Sequence, residues 1–242
     1  EAGDAQAGVQ TNGEGFRAGE SYRIEAVIPE AGDLAAVSAP GGVTSAVAAP
    51  RNLVAWIEEH ASGTDGVALA ELVALMRERS YLRHALDEGS ATAWIAGLGA
   101  GYAFQPSAAG HSLLRIDSLF ERLLEREADP RAAESGNYVA AVGDDEQFAV
   151  AAALIAEHLG FPARVVYGAR LSSDDSSLAT CADDGCRAMD LVAWTEVRGD
   201  DGEWIPIDVT PQHAVSPSVE STQQRDPENM TDVRPDAADE VV

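Results

Sequence analysis

The chain has 242 residues, enough to bury a substantial core in one larger domain or one domain plus an extension. Its 16 cationic side chains, all arginine, stand against 41 acids, for a formal charge of −25. A field of that sign repels phosphate backbones and anionic lipid surfaces, which argues against nucleic acid as a partner and leaves a solvated acidic surface as the simplest account.

No apolar run reaches the roughly 18 residues that a membrane-spanning helix needs. The longest, around 148–156, has the pattern of an amphipathic core helix. The chain starts at Glu1 with no signal peptide, so the expectation is a mature or excised piece of a longer protein.

In chain order, residues 1–20 are rich in Gly, Ala and Glu and read as a loose lead-in. Tyr22, Ile24, Ala26 and Ile28 alternate with polar or small neighbours and predict a strand. Residues 30–50 read as linker or long loop. Arg51–His60 predicts a helix with Leu53, Val54 and Ile57 on one face. Thr64 or Asp65 caps a second helix, whose stripe is Leu69, Leu72, Val73 and Met76. Residues 89–111 read as loop, and Gly97-x-Gly99-x-Gly101 has neither the spacing nor the setting of a dinucleotide fingerprint. Residues 112–127 predict an amphipathic helix with Leu113, Ile116, Phe120, Leu123 and Leu124 inward, and 129–142 a connection.

Asp144 is a good N-cap for the next helix, with Gln147 three residues on in a capping-box arrangement. Phe148, Ala152, Ile155 and Leu159 form its apolar face; Gly160 stops it and Pro162 prevents its continuation. Strands are expected over 164–171, 191–197 and 203–209, the last two joined at Gly199-Asp200-Asp201-Gly202, a strong hairpin signal. Between the first two lies an acidic excursion. It contains both cysteines, in Cys181-Ala182-Asp183-Asp184-Gly185-Cys186, which predicts a disulfide closing a small turn and hence an oxidising compartment. Two thiolates without a nearby His fall short of a four-ligand metal site, so no metal and no cofactor are expected. Residues 214–242 hold little apolar material and read as an acidic, disordered tail.

Four strings occur in one order: Gly143-Asp144-Asp145-Glu146-Gln147-Phe148-Ala149; Gly160-Phe161-Pro162-Ala163-Arg164-Val165-Val166-Tyr167-Gly168; Val192-Ala193-Trp194-Thr195-Glu196-Val197; and Gly202-Glu203-Trp204-Ile205-Pro206-Ile207-Asp208-Val209-Thr210-Pro211. This set resembles the transglutaminase-like, papain-like cysteine-enzyme superfamily over about 110–211. The resemblance implies an α+β fold in which the nucleophile-bearing helix packs on an antiparallel sheet. It divides the chain into a lead-in over 1–50, the domain over 51–213 and the tail over 214–242. It also implies the extracytoplasmic, soluble domain of a membrane-anchored bacterial parent, so that any membrane link runs through a segment outside this chain.

In active members of the family a Cys at the helix start is activated by the helix dipole and a neighbouring imidazolium; the His takes the proton and an Asp orients the His. On this frame the Cys position holds Asp145, the His position holds Val192, and Asp208 alone remains. A carboxylate is a poor acyl-transfer nucleophile, and a valine accepts no proton. An acid in the first turn is explained by the helix dipole alone, at roughly 0.3–1 kcal/mol. His158 lies about 20 Å along the helix from Asp145. His213 follows Asp208 and reaches the cleft only if the chain folds back, and His60 and His84 read as exposed helix ends. Trp194, Trp204 and Phe148 read as core aromatics, and Glu196 as the partner of Arg164. The expectation is a catalytically inactive scaffold or binding module for a protein or peptide of the cell envelope. The alternative is a hydrolase or acyltransferase of altered mechanism using Asp145 and Asp208.

Overall fold

A computed structural model describes residues 2–4, 9–11, 21, 32–40, 48–83, 110–171, 178, 180–182, 185–187 and 190–217. The chain divides into two compact units, 1–30 and 31–242. In the first, β1 (Ala2–Asp4) pairs antiparallel with β2 (Val9–Thr11), a ladder the sequence pattern does not announce. The strand expected at 22–28 and the loop expected at 89–109 lie outside the described residues.

The second unit opens with a short 3-10 helix over Leu34–Ala36, and Leu34, Val37 and Ala39 lie against the core. α1 (Arg51–His60) buries Leu53, Trp56 and Ile57. α2 (Gly66–Glu78) is capped by Asp65, whose side chain accepts from the Ala68 amide, and it buries the expected stripe. β3 (Ser80–Leu82) follows directly. α3 (Leu113–Ala128), capped by Ser112, buries Ile116, Leu119, Phe120 and Leu123. Ile116, Phe120 and Leu123 face inward as expected and Leu124 packs partly against the core; Leu119 joins them, while Leu113 in the first turn is exposed. The expected connection at 129–142 contains α4 (Pro130–Ser135) and β4 (Ala141–Gly143).

α5 (Asp145–His158) starts where the sequence says, with Asp144 accepting from the Gln147 amide at 3.3 Å. It ends at Gly160, whose φ of +93° suits only glycine without strain. The Gln147 side-chain amide donates to the Gly110 carbonyl at 3.1 Å. β5 (Ala163–Ala169), β6 (Leu191–Arg198) and β7 (Trp204–Ile207) form an antiparallel sheet in that order, with the hairpin at 199–202 as expected. β3 pairs parallel with β4, Ser80 opposite Ala141 and Leu82 opposite Gly143.

The two strand systems meet at α5. Along β6, Ala193, Thr195 and Val197 are buried while Val192, Trp194 and Glu196 are half-buried, the period of two of a sheet with one covered face. α5 supplies the cover: the Thr195 hydroxyl, fully buried, donates to the Ala149 carbonyl at 2.7 Å. Phe148 of α5 is buried in the same core as Trp56, Phe120 and Phe161, which contributes roughly 1.5–3 kcal/mol for this side chain. The architecture is therefore α+β with a helix on an antiparallel sheet, as the sequence implies. Among the described residues no helix is long and apolar enough to cross a membrane.

Candidate functional site

The outer face of the sheet carries the half-buried side chains, and one end of it forms a cleft. Its cavity measures about 870 Å³, and its walls include Val192, Trp194, Asp208, Arg77, Arg170 and Thr210. Val192 reaches the cleft from the first turn of β6, where it stands opposite Gly168 of β5. Asp208 reaches it from the residue just past β7. The sequence-level pair at 192 and 208 is thus brought together.

Asp145 is placed differently. It is the first residue of α5 and only 5% exposed, and it is not among the residues that line the cleft. Val192 lies on the face of β6 turned away from the body of α5, whereas α5 lies on the face of Ala193, Thr195 and Val197. His213 is not a lining residue either, and His158 sits in the last turn of α5.

Asp208 is held by an arginine that no motif singles out. Arg77, in the last turn of α2, donates from Nη2 to Asp208 Oδ2 at 2.7 Å and from Nε to the Thr210 carbonyl at 2.9 Å. Asp208 Oδ1 accepts the Thr210 amide at 3.0 Å, and Arg170 Nη2 donates to the Thr210 hydroxyl at 2.9 Å. Both carboxylate oxygens are engaged by groups other than an imidazole. No periodicity or motif couples residues 77 and 208; the only sequence signal for the pair is a cation at a helix C-terminus, which the dipole favours in any helix.

Trp194 and Trp204 are half-buried on this outer face rather than in the core, while Phe148 is buried as expected. The expected Arg164–Glu196 pair is present: Nε and Nη2 donate to Glu196 Oε2 at 2.8 and 2.6 Å. Glu196 Oε1 accepts from Trp194 Nε1 at 3.2 Å, and the Arg164 guanidinium lies 4.1 Å from the centroid of the Trp204 ring. Both tryptophans are thereby fixed by the same ion pair.

A second polar group surrounds the first turn of α5. Glu146 accepts from the Gly110 amide at 3.2 Å and pairs with His111 Nδ1. Burial alone would raise the Glu146 carboxyl, but hydrogen bonds from His111, the Gly110 amide and Tyr167 outweigh it and hold the group below its ordinary value of 4.5. This cluster ties the segment ahead of α3 to the start of α5.

Residues 123–209 match the family model described as the transglutaminase-like superfamily. The chain carries a transglutaminase-like domain. Neither a curated protein nor a solved structure matches the chain. The matched stretch begins within α3, contains positions 145, 192 and 208, and ends just beyond β7. In the transglutaminase-like domain the chain's two cysteines, Cys181 and Cys186, are joined as a disulfide with Cα atoms 4.5 Å apart, as the spacing suggested. No thiol is left free for nucleophilic chemistry.

Proposed function

We propose that this transglutaminase-like domain is a scaffold that has given up acyl transfer and binds a protein or peptide of the cell envelope in its cleft. On this reading Asp145, Val192 and Asp208 occupy the positions of the ancestral Cys, His and Asp. The domain acts outside the cytoplasmic membrane as the soluble part of a membrane-anchored parent. The observation that carries the reading is the cleft itself. At the His position it presents a valine, and its carboxylate is bound to Arg77. Thiol–imidazole chemistry needs a thiolate, a base and a group that orients the base, and here the sulfur is in a disulfide and a hydrocarbon stands in place of the base. The disulfide also fits an oxidising compartment.

The geometry gives less support to a two-carboxylate mechanism. That mechanism needs both acids at one space, and Asp145 is buried at the start of α5 while Asp208 lines the cleft. What remains for the cleft is recognition: an indole, two prolines and two guanidinium groups around a concave surface.

The test is incubation of the whole chain with glutamine- and asparagine-containing peptides and a labelled primary amine. The expected result is no amine incorporation and no ammonia release above the blank. Turnover that Asp145→Ala abolishes would overturn the proposal in favour of the altered enzyme.

A further inference from the structure

Away from the cleft, α1 and α3 bring three ligating side chains together. Glu59 and His60 end α1, and Glu127 lies in the last turn of α3; one ligand atom from each falls within 4.8 Å of the others. Among the described residues this is the one group of three His, Cys, Asp or Glu side chains that converges in this way. His60 reads from the sequence as an exposed helix end. The structure corrects this: its side chain is 18% exposed and that of Glu127 10%, with His60 Nε2 2.9 Å from Glu127 Oε2.

The two oxygens of Glu127 have separate duties. Oε1 accepts from Trp56 Nε1 at 3.2 Å and from Arg79 Nη1. Two donors on one oxygen fix the plane of the carboxylate and aim Oε2 at His60. Hydrogen bonds of this kind, made by the atoms that do not ligate, orient the ligands of metal sites. The Trp56 ring also lies against the imidazole, with centroids 5.1 Å apart, which limits the orientations His60 can take.

We propose that Glu59, His60 and Glu127 form a transition-metal site of the zinc type. The ligands are His60 Nε2, Glu127 Oε2 and a Glu59 carboxylate oxygen, with water in the fourth position. Imidazole beside carboxylates suits Zn²⁺ and Co²⁺, whereas Mg²⁺ and Ca²⁺ take oxygen sets. Ligands at about 2.0–2.1 Å from a tetrahedral ion stand roughly 3.3 Å apart, so the His60–Glu127 gap needs to open by only a few tenths of an ångström. The ion takes the place of the hydrogen bond between His60 Nε2 and Glu127 Oε2, with His60 ligating through Nε2 as the neutral imidazole that carries its hydrogen on Nδ1. Arg79 and two carboxylates leave the empty site one negative charge, a favourable balance for a divalent cation.

The experiment uses the full chain, stripped with a chelator and titrated with Co²⁺ as probe. Visible absorption reports the geometry, thermal unfolding the coupling to the fold, and Zn²⁺ is the competitor. The expected result is one equivalent bound with the d–d bands of a tetrahedral ion, displaced by Zn²⁺ and not by Mg²⁺. At a hundredfold excess over Kd, Tm should rise by roughly 5–10 °C. His60→Gln and Glu59→Gln should each weaken binding at least tenfold. Glu59 is exposed, so Glu59→Gln keeps the test clear if His60→Gln disturbs packing. Three results would overturn the site: affinity unchanged in either variant, an octahedral spectrum that Mg²⁺ displaces, or no saturation below about 1 mM. The second would mark diffuse condensation of cations on the acidic surface.

Discussion

Gly168→Ala tests how the cleft wall is held. Gly168 sits in β5 opposite Val192, and the Trp194 indole lies directly over it. A methyl on Gly168 would stand 2.5 Å from Trp194 Cη2 and 2.8 Å from Cζ3, closer than carbon atoms approach. The ring must swing away. Moving it breaks the Trp194–Glu196 hydrogen bond, at about 1 kcal/mol, and overpacking of this kind adds about 1–3 kcal/mol. Loss of backbone freedom in the unfolded chain returns about 0.4–1 kcal/mol. The net loss is about 1–3.6 kcal/mol, or a Tm lowered by roughly 2–14 °C for a domain of this size. Urea unfolding gives the free energy, and native-state tryptophan emission reports the displaced ring. In a Trp194→Phe background the offending ring atoms are gone. There Gly168→Ala should cost at least about 1 kcal/mol less, a coupling typical of residues in contact. A cost within about 0.5 kcal/mol of zero in the parent, or an equal cost in both backgrounds, would refute the reasoning.

Three further outcomes follow from the same geometry. Arg77→Ala removes a half-exposed ion pair, worth up to about 1 kcal/mol, and the bond to the Thr210 carbonyl, worth about 1 kcal/mol. Urea unfolding should show a loss of about 1–2 kcal/mol, and Arg77→Lys should recover less than half of it, since one ammonium cannot span both acceptors. The disulfide joins residues five apart in sequence, so the chain-entropy estimate for so short a loop is about 2 kcal/mol. Ellman's reagent should find no thiol in the native chain, and reduction should lower stability by no more than that amount. For Glu146, a folded-state value held below 4.5 means that the carboxylate contributes stability above that pH and loses it as the pH falls through the folded value. The Tm gap between the parent and Glu146→Gln should therefore be full at neutral pH and close on acidification below 4.5.

Much of the fold was legible because its signals are local. Asp144 and Gly160 bracket α5 through a cap and a left-handed stop, and the turn at 199–202 fixes the hairpin register. The Arg164–Glu196 pair was legible as opposite charges on two expected strands, although the β5–β6 register that sets them opposite each other is not fixed by that hairpin. What stayed hidden depends on contacts between distant residues. The strands β3 and β4 are three residues each, too short for a pattern, and only their pairing defines them. That Leu119 is buried and Leu113 exposed is set by the neighbours of α3, since the two are equally apolar. At the cleft, the motif order placed 192 and 208 on adjoining strands but said nothing of the face each presents relative to α5. Arg77 lies 131 residues from Asp208, and the Glu127 partners Trp56, His60 and Arg79 lie 71, 67 and 48 residues away, where no spacing rule reaches.

The parallel pair of β3 and β4 joins segments some sixty residues apart, with Ala140 donating to Arg79 and Arg83 to Gly143 on either side of the ladder. Closing that span costs about 1 kcal/mol more chain entropy than closing the 170–190 connection between β5 and β6, and the three-residue ladder has fewer bonds to offset it. The β5–β6–β7 meander is therefore the sturdier part and the seam the weaker. Because β4 runs straight into Asp145, the start of α5 shares the fate of that seam. In native-state hydrogen exchange the amides of 80–83 and 141–143 should open together, at a lower free energy than those of β6, loosening the mouth of the helix while the sheet stays closed.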